Sequence, residues 1–108
     1  MIFVVGGLGA GKRRFVEEQL GYSPEQMSSV PEDRTPVLLS LEELEPLPGA
    51  EELLEREVVV CREVGCGVIP LDRGERARRE AVGRLCCQLA EGAHAVYRLT
   101  CGIPMRLK

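Results

Sequence analysis

The chain has 108 residues, of which 44% are hydrophobic and 4% aromatic, and its formal net charge is −3. A chain of this length and composition forms one domain with a single core. The negative charge and the absence of Trp argue against a nucleic-acid partner, and no apolar run approaches the length of a membrane span. The start of the chain lacks the basic and apolar segments of a signal peptide, which predicts a cytoplasmic protein.

The first thirteen residues carry the strongest local motif. Residues 2–5 form an apolar run rich in β-branched side chains, which predicts a buried strand, and a glycine-rich turn and a helix from Lys12 follow. The spacing Gly6-x-x-x-x-Gly11-Lys12 is that of the Walker A phosphate loop in its strand–loop–helix setting. Its backbone N–H groups and the helix N-terminus favour a phosphate anion, so we expect ATP or GTP to bind here. The predicted nucleotide-binding residues are Gly6, Gly7, Leu8, Gly9, Ala10, Gly11, Lys12 and Arg13.

The motif departs from the standard pattern at its last position. Arg13 stands where a Ser or Thr hydroxyl holds the magnesium ion, and a guanidinium cannot coordinate a cation. Lys12 remains available to contact the outer phosphates, and we predict a catalytic role for it. No residue is predicted to ligate a metal, although Mg²⁺ can also be held through water and substrate phosphates.

The middle of the chain is polar and irregular. Residues 12–20 predict a short helix, residues 22–36 a loop and residues 37–40 a second strand. Ser40 and Glu43 have the spacing of a capping box, and residues 50–56 predict another short helix. The acidic residues between Glu42 and Glu57 are most simply a solvated surface, the alternative being a partner-binding surface.

The second half alternates strands and a helix. Strands are predicted over residues 58–62 and 95–100, and between them a helix over residues 73–93 with Asp72 as its N-cap. The predicted apolar stripe of this helix is Ala77, Ala81, Val82, Leu85, Cys86, Leu89 and Ala93. This order predicts an α/β fold: a single P-loop (RecA-like) three-layer domain over residues 1–108, with a small, mainly parallel sheet.

The five cysteines are an odd number without a CxxC pair, which fits reduced thiols acting as small buried hydrophobes rather than a zinc site.

A second motif, Glu63-Val-Gly-Cys-Gly-Val-Ile-Pro70, follows the third predicted strand. It is similar to the E-V-G-x-G-[IV]-[IV]-P signature of the bifunctional adenosylcobinamide kinase/adenosylcobinamide-phosphate guanylyltransferase family. The end of the chain, Cys101-Gly-Ile-Pro-Met-Arg-Leu-Lys108, resembles the end of that family, and Gly83-Arg84 precedes Cys86-Cys87 where the family has N-Q. The resemblance implies a role in cobalamin biosynthesis, a corrinoid substrate and a homo-oligomer. Because ligands bind beyond the carboxyl ends of parallel strands, we also predict that Glu63 lies in the cleft of Lys12 as a catalytic residue.

Two departures from the family leave the function open. Ser40 stands where the family has an acid after a strand, and the single histidine, His94, follows the long helix, where it is expected at the surface and far from the phosphate loop. Guanylyl transfer through a histidine is therefore expected to be absent. The alternatives are a reduced adenosylcobinamide kinase and a non-catalytic nucleotide-binding scaffold; an unrelated small P-loop kinase is disfavoured by the Glu63–Pro70 motif. Arg76, Glu80 and Arg84 are expected to make ion pairs or subunit contacts.

Overall fold

The structure, a computed structural model, describes residues 1–63 and 72–108. The strands of these residues are β1 (Ile2–Gly6), β2 (Met27–Ser28), β3 (Val37–Leu38), β4 (Val58–Arg62), β5 (Ala95–Thr100) and β6 (Ile103–Arg106). The α-helices are α1 (Lys12–Glu18), α2 (Ala50–Leu53) and α3 (Arg73–Gly92). Within this part of the chain, no helix is both long enough and apolar enough to cross a membrane.

The strands form one mixed sheet in the order β2-β3-β4-β1-β5-β6. All neighbouring strands are parallel except β5 and β6, which are antiparallel. β1 lies in the middle, where Ile2 is in register with Val58 of β4 and with Ala95 of β5. The carboxyl ends of β1 and β4 therefore meet at one edge of the sheet, where open α/β sheets place their ligands.

The sheet is covered on both faces, which confirms the predicted α/β layers. On one face, Phe3, Val59 and Val96 pack against α3, and Leu53 of α2 joins the same cluster. On the other face, buried Phe15 and Val16 of α1 pack with Val4, Val58 and Val60. Successive residues of β1 and β4 thus enter opposite clusters, and this explains why these strands are almost continuously apolar.

The long helix agrees with its predicted limits to within a residue. The Asp72 side chain accepts a hydrogen bond from the Gly74 N–H across 2.9 Å and so caps the first turn. Val82, Leu85 and Leu89 are its buried residues. Ala77 is exposed, so the predicted apolar stripe begins one turn too early.

The second and third strands differ from their predictions. β3 ends at Leu38, because Ser40 adopts the left-handed conformation at φ 56° and turns the chain away from the sheet. The Ser40 side chain caps nothing, so the predicted capping box is wrong. β2 lies inside the predicted loop over residues 22–36, where a two-residue strand leaves no periodic pattern to detect.

The antiparallel strand at the edge was also missed. Thr100 is paired with Ile103 across a two-residue turn, and both central residues, Cys101 and Gly102, have positive φ values of 50° and 77°. Two positive φ values are typical of the tight turns that join antiparallel strands. The dipeptide Cys101-Gly102 is not one of the usual signals of such a turn, which is why the hairpin was missed. Pro104 is tolerated because β6 is the edge strand.

The cysteines follow their prediction only in part. Cys61 is buried and Cys86 is partly buried, but Cys87 and Cys101 are exposed. Cys66 lies outside the described residues.

Candidate functional site

The glycine-rich loop leaves β1 at a point where only glycine fits. A Cβ atom on Gly6 would lie 2.9 Å from the backbone oxygen of Leu99 in β5, closer than atoms can approach. Gly11 has a φ of 89°, and a Cβ there would lie 3.3 Å from the Cα of Gly102. The Gly102 N–H also donates to the Ala10 carbonyl across 2.9 Å, so the hairpin turn supports the loop from behind.

The Lys12 side chain folds back onto the backbone of the glycine-rich loop. Its ammonium group donates to the Gly7 carbonyl across 2.7 Å, and its side chain is half-buried. Burial lowers the pKa of Lys12, while the nearby Glu42 carboxylate acts in the opposite direction. The Lys12 ammonium group is therefore held next to the backbone of the loop, an arrangement that would suit an anion.

A cavity of about 400 Å³ opens beside this loop. It lies within the range of small-molecule sites, roughly 300–1,000 Å³. The loop and the start of α1 form one side, and Val60 and Arg62 of β4 form the floor. Its lining residues are Leu8, Gly9, Ala10, Gly11, Lys12, Arg13, Arg14, Leu39, Ser40, Glu42, Glu43, Val60 and Arg62. The opposite side contains Leu39, Ser40, Glu42 and Glu43, and we call residues 39–45, to which they belong, the wall segment.

Glu42 is the residue of the wall segment whose carboxylate acts on Lys12 in the glycine-rich loop. Its carboxylate oxygen Oε1 accepts the Arg62 backbone N–H across 2.7 Å at the end of β4. It also lines the cavity and acts electrostatically on Lys12. The other acidic residues between Glu42 and Glu57 are exposed, as the prediction of a solvated surface requires, whereas Glu42 itself is only partly exposed and has this specific contact. Ser40 does line the cavity but carries no acid, and Glu42 brings a carboxylate to the site from two residues further on.

Arg78 of α3 holds the wall segment in place. Its guanidinium donates to the carbonyls of Glu42 and Leu44 at 2.8 and 2.5 Å, and it forms an ion pair of 2.9 Å with Glu45. One planar, five-donor group thus fixes three points of an irregular segment. No sequence pattern distinguishes Arg78 from the neighbouring arginines, because its partners include backbone carbonyls that only the fold brings close.

Arg13 and Arg14 point along α1 into solvent. Arg13 lies 3.8 Å from Glu17, and Arg14 lies 3.1 Å from Glu18, in each case one helical turn away. Both arginines are exposed and both line the cavity. They add positive charge at the entrance, where an anion would pass.

Glu63 lies at the same edge of the sheet but has a different neighbour. Its N–H donates to the Gly6 carbonyl across 2.8 Å, so its backbone adjoins the loop. Its carboxylate forms an ion pair of 3.0 Å with Arg98 of β5, and it is not among the lining residues of the cavity beside Lys12. A catalytic role for Glu63 remains a prediction. The predicted continuation of its motif, residues 65–70, lies outside the described residues.

His94 lies at the opposite edge of the sheet from the loop. It is exposed, and its ring atom Nδ1 lies 3.0 Å from the amino group of Met1, just before β1 begins. The glycine-rich loop begins where β1 ends, so the whole strand separates the two. The predicted surface position of His94 is confirmed. Arg76, Glu80 and Arg84 are likewise exposed on α3.

Comparison with known proteins gave one family. The family model described as cobinamide kinase / cobinamide phosphate guanyltransferase matches residues 41–107. This range includes most of the wall segment, β4, α3 and the hairpin, whereas the glycine-rich loop precedes it. The comparison with curated proteins gave no match.

Proposed function

Since the chain belongs to the cobinamide kinase / cobinamide phosphate guanyltransferase family, a family of cobalamin biosynthesis, we propose that the cavity beside Lys12 binds the phosphates of ATP or GTP. The observation that carries this proposal is the position of Lys12. Its ammonium group stands over the Gly7 carbonyl at 2.7 Å, at the side of a cavity lined by the glycine-rich loop. Bound phosphate oxygens would replace that carbonyl as partners of the ammonium group, forming stronger, charge-assisted hydrogen bonds.

The reaction that these residues support best is phosphoryl transfer to cobinamide. Such transfer depends on positioning and on neutralising the charge of the phosphates rather than on covalent chemistry by the protein. Lys12 would contact the outer phosphates, the loop backbone would hold them, and Arg13 and Arg14 would attract the nucleotide at the entrance. Glu63, anchored to the Gly6 carbonyl, would act from the neighbouring strand end, where an acceptor substrate has to approach.

Glu42 is the residue that fits a magnesium ion. Mg²⁺ is bound in such sites by one or two carboxylates together with substrate phosphates, and Glu42 offers a carboxylate on the cavity side facing Lys12. The ion would supply further neutralisation of the phosphate charge. Arg13, which is exposed and turned towards Glu17, offers no oxygen ligand.

The test is isothermal titration of the full chain with ATP and with GTP, each with and without Mg²⁺, followed by an assay for phosphorylated cobinamide. Binding together with product formation supports the kinase. Binding of nucleotide without product supports the second candidate, a non-catalytic nucleotide-binding relative, which the replacement of the usual hydroxyl by Arg13 favours. Absence of binding under all four conditions would refute the proposal.

Replacing Glu42 with glutamine should remove the dependence of nucleotide affinity on Mg²⁺. The glutamine oxygen can still accept the Arg62 N–H, so the wall segment should keep its position while the negative charge is lost. Titrations without Mg²⁺ should therefore give an affinity at least as high as that of the wild type. Glu51→Gln, at an exposed position outside the cavity lining, is the matched control and should keep the Mg²⁺ effect. A full Mg²⁺ effect in Glu42→Gln would show that Glu42 is not a ligand.

Guanylyl transfer through a covalent histidine should be absent. That step needs an imidazole within attack distance of the α-phosphate, and His94 lies at the other end of β1. Incubation with α-labelled GTP, followed by mild acid, should reveal no acid-labile label on the protein, and His94→Ala should give the same result. Stoichiometric label on His94 would contradict both the prediction and the geometry.

The proposal also extends to the acceptor substrate, the oligomeric state and the cellular location of the protein. We expect a corrinoid acceptor, a homo-oligomer and a cytoplasmic location, on the ground of the family to which the chain belongs. Sedimentation equilibrium of the purified chain tests the oligomer independently of any ligand.

A further inference from the structure

Two cysteines from different elements meet between the sheet and α3. The Sγ atoms of Cys61 in β4 and Cys86 in α3 lie 3.6 Å apart. Their residues are 25 positions apart in the chain, so the fold and not local sequence brings them together. The contact lies in the cluster between the sheet and α3, where Cys61 is fully buried and Cys86 packs against it.

The two thiols differ in exposure and in chemistry. Cys61 is closed off, whereas Cys86 is only partly buried. The Cys86 thiol donates to the Cys61 sulfur, and when Cys86 is ionised the Cys61 thiol can donate to the Cys86 thiolate instead. This contact lowers the pKa of Cys86 and raises the pKa of Cys61. The more accessible sulfur is thus also the more reactive one, because the thiolate is the nucleophile.

We propose that Cys61 and Cys86 form a redox-modification site, a dithiol that is converted to a disulfide by exchange with a small disulfide such as oxidised glutathione. The Cys86 thiolate attacks one sulfur of the small disulfide and releases a small thiolate, which takes up the proton that Cys86 gave to water. The Cys61 sulfur then attacks Cys86 in this mixed disulfide, and its proton leaves with the second small thiol. The protein loses two hydrogens and two electrons, and the small disulfide is reduced to two thiols.

The geometry needs only a small movement to close the bond. A disulfide requires a sulfur–sulfur distance of about 2.05 Å, so the two side chains must approach by roughly 1.5 Å. Both elements are anchored by packing of their own: Val60 and Arg62 flank Cys61, and Leu85 and Leu89 lie beside Cys86 on the buried side of α3.

The bond would act directly on the proposed site. Arg62, which follows Cys61, donates its N–H to Glu42, and Arg78 of the same helix as Cys86 holds the carbonyls of the wall segment. A link between Cys61 and Cys86 therefore joins the two elements that position Glu42. This consequence rests on the proposed function, whereas the formation of the disulfide does not.

The site is tested by equilibrating the full chain in buffers of reduced and oxidised glutathione and quenching with acid. Trypsin places Cys61 in the peptide 57–62, Cys66 in 63–73, the Cys86-Cys87 pair in 85–98 and Cys101 in 99–106. We expect the peptides 57–62 and 85–98 to be linked, with a mass two hydrogens below the sum of the two free peptides, and 57–62 to be linked to no other peptide. Cys87→Ser should retain the link and assign it to Cys86, and Cys86→Ser should abolish it.

Repeating the equilibration in urea distinguishes a disulfide that the native fold favours from one that forms equally well in the unfolded chain. Because the native fold holds the sulfurs together, the native disulfide should withstand a glutathione ratio at least tenfold more reducing than the unfolded one, about 30 mV. The oxidised protein should also melt at a higher temperature. A link from 57–62 to any other peptide, or equal redox midpoints in the folded and unfolded chains, would overturn the proposal whether or not nucleotide binds.

Discussion

Replacing Lys12 with alanine is expected to lower the affinity for ATP or GTP by about 10- to 100-fold, the effect of losing a charge-assisted hydrogen bond in a partly buried site. Lys12 is the charged group that lies closest to the loop backbone, 2.7 Å from the Gly7 carbonyl. The measurement is isothermal titration of the wild type and the variant in the same buffer.

The control for this change is Arg84→Ala. Arg84 is exposed on the outer surface of α3, so its removal takes away the same charge without touching the cavity. Its affinity should equal that of the wild type at moderate ionic strength, where distant surface charges are screened. If Lys12→Ala binds nucleotide as well as the wild type does, the glycine-rich loop is only a turn and the proposed function fails.

Replacing Leu89 with alanine is expected to have the largest effect on stability. Leu89 is fully buried in the cluster that joins α3 to the sheet. Truncation of such a side chain lowers the free energy of unfolding by about 2–5 kcal/mol, because buried apolar surface is lost and a cavity remains in the core. The free energy of unfolding, measured by urea titration followed through circular dichroism, should fall by this amount, and Tm should drop by about 8 °C or more.

Leu107→Ala is the matched control for stability. Leu107 is 57% exposed, so the same chemical change should alter the free energy of unfolding by about 0.5 kcal/mol or less. A cost below about 1 kcal/mol for Leu89→Ala would mean that α3 does not pack as described. The contact between Cys61 and Cys86, which depends on that packing, would then be lost as well.

The sequence predicted the elements whose signals are local and long. β1, β4, β5 and α3 have apolar runs or a helical stripe that the structure confirms almost residue for residue. Two short elements escaped prediction: β2 has two residues, and β6 depends on a turn of two residues with positive φ. The short elements α1, β3 and α2 were predicted, with ends placed two or three residues too far along the chain. Ser40 shows the limit most clearly, because its left-handed backbone ends β3 where the hydrophobic pattern continues to Leu39.

The residues of the candidate site likewise fall into two groups: those that the sequence indicated and those that only the structure identified. Gly6, Gly11 and Lys12 were recognisable from their spacing, because a phosphate loop is a contiguous segment whose geometry is encoded locally. Glu42 and Arg78 were not, because one acid among many and one arginine among several acquire a role only through contacts with distant segments. The pairing of Cys61 with Cys86 is of the same kind.

The sequence by itself therefore determined the α/β class, the glycine-rich loop and the family resemblance, because each is carried by residues close together in the chain. Only the tertiary structure decided which carboxylate faces Lys12, that Glu63 pairs with Arg98, and that two thiols lie 3.6 Å apart. These contacts join segments that are 25 to 35 residues apart or lie on different strands. The physical reason is that sequence periodicity specifies which side of an element is buried, while the contacts between elements depend on how the whole sheet and its helices pack.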